Sequence, residues 1–134
     1  MTASGADRRL VSSGSPFERL YGYSRAVRCG DEVLIAGTTG YDYAKMGMPD
    51  DVAEQTRNIY ATFARAMKEA GGELADIVRL RTFVTRAADC ETVLRVQGEV
   101  FGAIRPAATI VVVKALLQPE MKVEIEAEAR LKPR

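Results

Sequence analysis

The side chains of this sequence that could transfer protons are those of aspartate, glutamate, lysine, tyrosine and two cysteines, and the chain contains no histidine. That composition excludes a histidine general base and any catalytic triad built on one. The two cysteines, Cys29 and Cys90, lie far apart and form no C-x-x-C pair. We therefore expect no zinc site and no cysteine nucleophile, and interpret both thiols as free cysteines in a reducing cytoplasm.

Charged side chains alternate with apolar ones along two segments of high β-propensity. Glu124, Glu126 and Glu128 alternate with valine, isoleucine and alanine, and Arg79 and Arg81 alternate with valine, leucine and threonine. Successive side chains of a strand point to opposite faces of a sheet. If the apolar sides of both strands face the core, these acids and arginines share the opposite face and can pair across strands.

The elements that would position these residues follow the order β-β-α-β-α-β-β. A hairpin is predicted from Tyr23–Cys29 and Glu32–Thr38 around a Gly30-Asp31 turn, and a helix from a cap at Asp50 or Asp51 to Gly71-Gly72. A strand (Ile77–Thr85), a helix capped by Asp89 and ended by Pro106, and strands within Ala107–Ala115 and Lys122–Arg130 follow. This pattern predicts an α+β fold with both helices on one face of a mixed sheet.

The length of 134 residues and the apolar fraction of 47% indicate one globular domain. We assign it to residues 16–134, preceded by a flexible N-terminus at residues 1–15. No apolar run has the length of a membrane span, and no secretory signal is recognisable, which favours a cytoplasmic location. The formal net charge of +1 argues against nucleic-acid binding.

The segment Thr109–Val113 is predicted to be a strand with apolar side chains on both of its faces. A strand with one solvated face would alternate, so both faces of this strand are expected to be buried. The helices cover one face, and a second copy of the chain is the simplest cover for the other. The predicted interface combines Ile110, Val112 and Phe83 with the paired charges.

Three stretches of the chain resemble the YjgF/RidA family of reactive intermediate deaminases, also described as endoribonuclease L-PSP-like. They are the hairpin Gly22–Thr38, the segment Ala75–Thr85, and the segment from Arg105-Pro106-Ala107 to Pro119-Glu120-Met121-Lys122-Val123-Glu124-Ile125-Glu126-Ala127. The last is closest to the C-terminal signature of the family. The resemblance extends from about Tyr23 to Ala129.

Membership of this family implies a chorismate-mutase-like fold and a homotrimer whose sheets surround an inner barrel. Small-molecule ligands would then bind in clefts between subunits. The resemblance also implies hydrolysis of imine or enamine intermediates to a carbonyl product and ammonia, without a metal or cofactor. The expected partners are further copies of the chain and a small metabolite, with no membrane or nucleic acid.

The resemblance assigns roles to individual residues of this sequence. Glu124 matches the glutamate that handles water or protons, with an interface ion pair as the alternative. Tyr23 matches the cleft tyrosine, with aromatic packing as the alternative. Gly37 matches the position that presents backbone groups to the ligand. Thr38 and Thr39 would replace a hydroxyl missing at Ala36, with a structural role at the strand end as the alternative.

Ala108 departs from the pattern of the family deaminases. An arginine follows the Pro-Ala pair there and grips the substrate carboxylate, whereas Ala108 offers a methyl group. A bidentate guanidinium contributes strongly to carboxylate binding, which makes 2-imino acids doubtful substrates. Arg81 or Arg79 is a candidate replacement, with interfacial ion pairing as the alternative, and Arg105 is assigned to a helix end.

Three functions remain open on the sequence. The first is a Rid-type hydrolase of imines, enamines or related small molecules with an altered substrate. The second is a non-catalytic trimer that binds or senses a metabolite in the same clefts. The third, a ribonuclease or translation inhibitor, is disfavoured by the near-neutral charge and the few aromatic residues.

Overall fold

The computed structural model describes residues 7–133, which form six strands, three α-helices and two short 3₁₀ turns. The strands are β1 (Arg8–Val11), β2 (Ala26–Cys29), β3 (Glu32–Thr39), β4 (Ile77–Val84), β5 (Ala107–Val112) and β6 (Val123–Arg130). The helices are α1 (Pro16–Tyr21), α2 (Val52–Ala70) and α3 (Cys90–Phe101), and the 3₁₀ turns are Leu74–Asp76 and Ala87–Asp89. The α+β class and the predicted order of five strands and two helices are confirmed.

The N-terminal part of the fold differs from the prediction. β1 pairs antiparallel with β2, so Arg8–Val11 belongs to the sheet although it was assigned to a flexible start. α1 follows it, with Ser15 as N-cap and Pro16 in the first turn. Both elements are short, and four strand residues with two arginines carry too little periodicity to be recognised. Residues 1–6 of the predicted flexible segment lie outside the described residues.

The six strands form one sheet in the order β1-β2-β3-β6-β4-β5. β4 and β5 are parallel, and the other neighbouring pairs are antiparallel. A parallel pair needs a crossover connection, which α3 supplies between β4 and β5. β6 lies in the middle of the sheet between β3 and β4, so its residues can contact side chains from two strands distant in sequence.

Helix α2 forms where the sequence predicts it. The Asp51 carboxylate caps its start by accepting a hydrogen bond from the Glu54 N–H at 3.1 Å. Gly71 ends it in a left-handed conformation with φ of 95°, which glycine adopts without strain. Ile59, Phe63 and Met67 are fully buried on the face towards the sheet. No helix among residues 7–133 is long and apolar enough to cross a membrane.

A buried amide on α2 holds two loops against the sheet. The Gln55 side chain donates to the carbonyls of Pro49 at 2.8 Å and Glu120 at 2.9 Å. Its Oε1 accepts from the Lys122 N–H at 3.0 Å. Because Lys122 directly precedes β6, this side chain fixes the entry of the strand that carries the alternating glutamates.

The alternation predicted for β6 and β4 is confirmed. Val123, Ile125, Ala127 and Ala129 are buried towards the helices, together with Leu80 and Val84 of β4. The three glutamates of β6 lie on the opposite face of the sheet, which no helix covers, and Arg81 stands opposite Glu126 in the ladder. We call this side of the sheet the open face.

The face assignment within β5 corrects part of the predicted interface. Ile110 pairs with Thr82 and Val112 with Val84, which places both on the helix side. Val111 instead pairs with Phe83 and lies on the open face. Thr109, which pairs with Arg81, is the one polar residue of β5 and shares the open face with Val111. In the single chain Val111 is 42% and Val112 52% exposed, so burial of both faces still requires a partner.

Candidate functional site

A β-bulge in β3 creates the irregularity around which the site is built. Ile35 pairs with Ala127 and Thr38 pairs with Ile125, so β3 uses three steps where β6 uses two. Ala36 and Gly37 therefore share the space opposite one residue, Glu126. Bulges of this kind redirect backbone groups and side chains, and they are frequent beside active sites.

The carboxylate of Glu124 approaches the backbone at this bulge. A Cβ atom built on Gly37 would lie 2.5 Å from Oε2 of Glu124 and 3.2 Å from its Cδ. Any side chain at position 37 would therefore collide with the carboxylate. Gly37 is suited to this position because it lets the backbone and the acid share the space.

Arg25 links the bulge to Tyr23. Its Nη1 donates to the Gly37 carbonyl at 2.8 Å and to Oγ1 of Thr38 at 2.9 Å. Its Nη2 donates to the Tyr23 hydroxyl at 3.3 Å, and its guanidinium lies 5.5 Å from the centre of the Tyr23 ring. The side chain is only 5% exposed. A charged group is thus enclosed at the centre of the cluster.

The surroundings of Glu124 alter its acidity. Burial raises the pKa of its carboxyl above the ordinary value, the charge of Arg25 lowers it, and the neighbouring Glu126 raises it, with a net rise. A carboxyl with a raised pKa holds its proton closer to neutral pH, as a general acid or base requires. Strong shifts towards the working pH are typical of reacting groups, although structural carboxylates also show them.

A second carboxylate, that of Glu18, also interacts with the charge of Arg25. Glu18 of α1 accepts hydrogen bonds from the N–H of Ser13 at 2.9 Å and its hydroxyl at 2.5 Å. Burial alone would raise the pKa of Glu18, but the hydrogen bonds from Ser13 and Ser12 and the charge of Arg25 bring it below the ordinary value. Glu18 and Tyr23 also line a shallow groove with the loop before α1.

Four of the predicted site residues come together in this cluster, namely Tyr23, Gly37, Thr38 and Glu124. Thr38 has a different position from the one expected, because it is 3% exposed and points inward. Its hydroxyl donates to the Ala36 carbonyl at 2.8 Å and accepts from Arg25. The geometry matches the structural alternative for Thr38, since its hydroxyl is used within the protein.

Arg81 and Ala108 lie apart from the hydrogen-bonded cluster. Arg81 donates to Oε2 of Glu128 at 2.8 Å and lies 3.6 Å from Oε2 of Glu126. Its charge is shared between these two carboxylates, which matches the ion-pairing alternative. Ala108 is exposed on β5 and pairs with Leu80, where it contributes only a methyl group.

Sequence reasoning missed Arg25 as a member of the site. It lies in the hairpin stretch quoted for the family resemblance, two residues after Tyr23. That spacing places the two side chains on the same side of an extended segment, a signal that was available. The predicted strand over Tyr23–Cys29 in fact begins at Ala26, so Arg25 precedes it.

The cluster offers proton transfer and hydrogen bonding rather than metal chemistry. Among residues 7–133, no three cysteine, aspartate or glutamate side chains are grouped as metal ligands. The cluster combines the Glu124 carboxyl, whose pKa is raised, with the Tyr23 hydroxyl, which is reachable from solvent because the residue is 39% exposed. This combination suits a small polar reaction in which water takes part.

Comparison with known proteins places the chain in a family. The family model described as endoribonuclease L-PSP matches residues 15–131. The chain belongs to the YjgF/RidA family. The match includes every residue of the cluster and the segment over which the sequence resemblance was drawn.

Solved and curated YjgF/RidA relatives agree with this placement. The crystal structure of a family member from Mycobacterium tuberculosis is 46% identical, covers 92% of this chain and 99% of its own, and superposes with a TM-score of 0.85. An uncharacterised protein of Streptomyces coelicolor is 35% identical over 90% of both chains. The chloroplastic reactive intermediate deaminase A of Arabidopsis thaliana is 26% identical over 98% of this chain and 70% of its own length.

Proposed function

We propose that this YjgF/RidA protein is a homotrimeric hydrolase that binds small imines or enamines in clefts between subunits. The observation that carries the proposal is the carboxyl of Glu124, which lies against the Gly37 backbone with its pKa raised by burial. The relative named reactive intermediate deaminase supports the reaction class. The open face of the sheet, with exposed Val111 and Leu34, supports assembly.

The reaction is an addition of water followed by loss of ammonia. The Glu124 carboxylate takes a proton from water as the oxygen bonds to the carbon of a protonated imine. Glu124 then returns this proton to the nitrogen of the neutral carbinolamine, and the carbon–nitrogen bond breaks as ammonia leaves. The hydroxyl proton of the remaining protonated carbonyl passes to the departing ammonia, so a protonated imine and water yield a carbonyl compound and an ammonium ion, and Glu124 ends as the carboxylate.

Substrates with little or no negative charge fit the site best. Ala108 provides no cation, and Arg81 is paired with Glu126 and Glu128. A substrate carboxylate near Glu124 would meet the like charges of Glu124 and Glu126 on the same face of the sheet, and like charges repel. We therefore propose neutral or cationic imines rather than 2-imino acids as the preferred class.

A non-catalytic trimer that binds a metabolite is the second candidate function. The observation that favours it is again Ala108. The absence of an anchoring arginine is also consistent with a protein that binds ligands in its cleft without catalysing a reaction. Such a protein would bind small molecules at the same cluster. It would not release ammonia from any imine.

The proposed function is tested by measuring ammonia release from imines generated in the assay. The wild type is compared with Glu124→Gln, which keeps the shape of the side chain and removes the titrating group. General acid–base catalysis contributes about 10²- to 10⁴-fold, so a loss of this size is expected. Glu128→Gln, on the same strand and face, is the matched control and should lose much less.

Light scattering on the same samples measures the assembly. A particle of three times the 14.6 kDa chain mass is expected. A folded monomer would contradict the proposed clefts. A trimer that binds small molecules yet accelerates no imine hydrolysis would favour the second candidate function.

A further inference from the structure

The geometry points to Arg25 as a positioning residue that holds the bulge of β3 and the Tyr23 hydroxyl and acts on Glu124 through its charge. The inference rests on the proposed function, because it takes the surroundings of Glu124 as the reacting site. It also separates Arg25 from the role of substrate anchor. The roles that the family resemblance implies for this sequence do not include this positioning role.

The hydrogen bonds of Arg25 fix the local backbone. Nη1 uses its two protons on the Gly37 carbonyl and the Thr38 hydroxyl. Both acceptors belong to the irregular part of β3, where regular ladder bonds with β6 are interrupted. The guanidinium therefore replaces contacts that the bulge removes, and holds the Gly37 backbone at the place where Glu124 approaches.

Enclosure makes Arg25 unsuitable as an anchor for an anion. A substrate carboxylate is gripped best by two parallel N–H groups at one edge of a guanidinium. Nε of Arg25 is buried without a hydrogen-bond partner, and Nη1 is occupied within the protein. With the residue 5% exposed, a ligand cannot reach such an edge unless the bulge opens. Arg25 thus does not replace the arginine that is missing at position 108.

Contact with Arg25 also orients the Tyr23 hydroxyl. The phenol oxygen accepts from Nη2 at 3.3 Å, which leaves the phenol proton to donate elsewhere. Hydrogen bonds in a chain polarise one another, so a phenol that accepts from a cation is a better donor. Tyr23 is therefore prepared to donate to a nitrogen or carbonyl oxygen of a ligand.

The charges around Glu124 come from several elements. Arg25 approaches from the segment before β2, and Glu126 lies on β6 beside it. Arg81 of β4 is paired with Glu126 and Glu128, and Glu18 of α1 also interacts with the charge of Arg25. Arg25 is the cation that lowers the pKa of the Glu124 carboxyl against the effect of burial. Without it, the carboxylate form would be less stable.

The experiment is a titration of the Glu124 carboxyl by carbon NMR on protein labelled at glutamate, with the signal assigned through Glu124→Gln. In Arg25→Met the pKa of Glu124 should rise, because the cation is lost and the length is kept. In Arg25→Lys it should stay closer to the wild type, because the charge remains. Arg28→Met, which removes a cation bonded to Ala70 and Gly30 instead, is the matched control.

An unchanged titration of Glu124 in a folded Arg25→Met protein would overturn the inference. If that variant does not fold, the wild type decides, since the guanidinium NMR signals of Arg25 should follow the titration of Glu124 and cease to do so in Glu124→Gln. Guanidinium signals of Arg25 that do not shift as Glu124 titrates would also overturn the inference. The measurement needs no turnover, so a shifted titration without imine hydrolysis rejects the proposed function alone.

Discussion

The Glu124 carboxylate rests against the Gly37 backbone so closely that a methyl group there would lie 2.5 Å from Oε2. These residues come from β6 and β3, which are far apart in the sequence and adjacent in the sheet. The contact therefore depends on the register of the two strands and on the extra residue in β3.

Gly37→Ala should displace the Glu124 carboxylate while leaving the fold intact, because the colliding group is the movable end of a side chain. A displacement of about 1 Å in a reacting group can cost about 100-fold in rate, so a loss of this order is expected in imine hydrolysis. Steady-state assays and thermal unfolding measure the two effects. Unaltered hydrolysis in the folded variant would show that the position of Glu124 against the bulge is irrelevant.

Ala108→Arg should restore affinity for substrates that carry a carboxylate. The position is exposed on β5, so the added guanidinium is not forced into the core. A charge-assisted hydrogen bond contributes about 1.5–3 kcal/mol, which corresponds to about 10- to 100-fold in kcat/KM. Ala108 shares the helix side of the sheet with Leu80, so the added guanidinium would serve the proposed cleft of a neighbouring subunit rather than Glu124 of its own chain. Ala103→Arg, in the exposed turn after α3, is the control. A gain that is equal in both variants would indicate a general effect of charge.

Glu124→Gln should stabilise the fold near neutral pH relative to the wild type. The folded state holds the proton of Glu124 above the ordinary pKa of 4.5, so ionisation disfavours folding. The contribution of this group to stability is fully present below pH 4.5 and is lost as the pH rises through its folded-state pKa. Glutamine does not ionise, so the Glu124→Gln variant does not lose this part of the free energy of unfolding as the pH rises.

Chemical denaturation at a series of pH values measures this difference. The unfolding curves of wild type and Glu124→Gln should converge in acid and diverge towards neutrality. Glu99→Gln, an exposed carboxylate on α3, is the matched control. A variant that is less stable than the wild type at neutral pH would show that the ionised carboxylate contributes more by its interactions than it loses by burial.

Gly98→Ala should stabilise α3. Glycine within a helix costs about 0.5–1 kcal/mol relative to alanine. A Cβ atom at Gly98 would meet no atom outside the helix's own nearby backbone within 4 Å, so the glycine is not needed for close packing. An increase of that size in the free energy of unfolding is expected from denaturant titration. A decrease would reveal a contact of this surface with another subunit.

Local patterns were enough to predict α2 and the faces of β6. Their apolar periodicity is strong, and Asp51 and Gly71 mark the ends of the helix. The pattern of β5 is much weaker, because Thr109 is its one polar residue and a single threonine among apolar residues defines the outward face poorly. β1 and α1 were missed since short elements are stabilised by their neighbours rather than by their own pattern.

The site was only partly accessible from the sequence for a similar reason. Tyr23, Gly37 and Glu124 could be located by resemblance, but the bulge depends on the pairing of β3 with β6. Arg25 belongs to the site because its guanidinium donates a hydrogen bond to the Gly37 carbonyl at this bulge. Its role is set by contacts across the sheet, which spacing along the chain does not show.

The bulge has a consequence for how the family can diversify. Ile35 and Thr38 each face a core residue of β6, and a single surplus residue lies between them. Deleting one residue there would make the ladder regular without turning either end of β3 over. The same scaffold would survive while the carbonyl held by Arg25 and the niche for Glu124 vanished. The loss of one codon would thus turn the irregular segment of β3 into a regular strand while leaving the rest of the sheet in place.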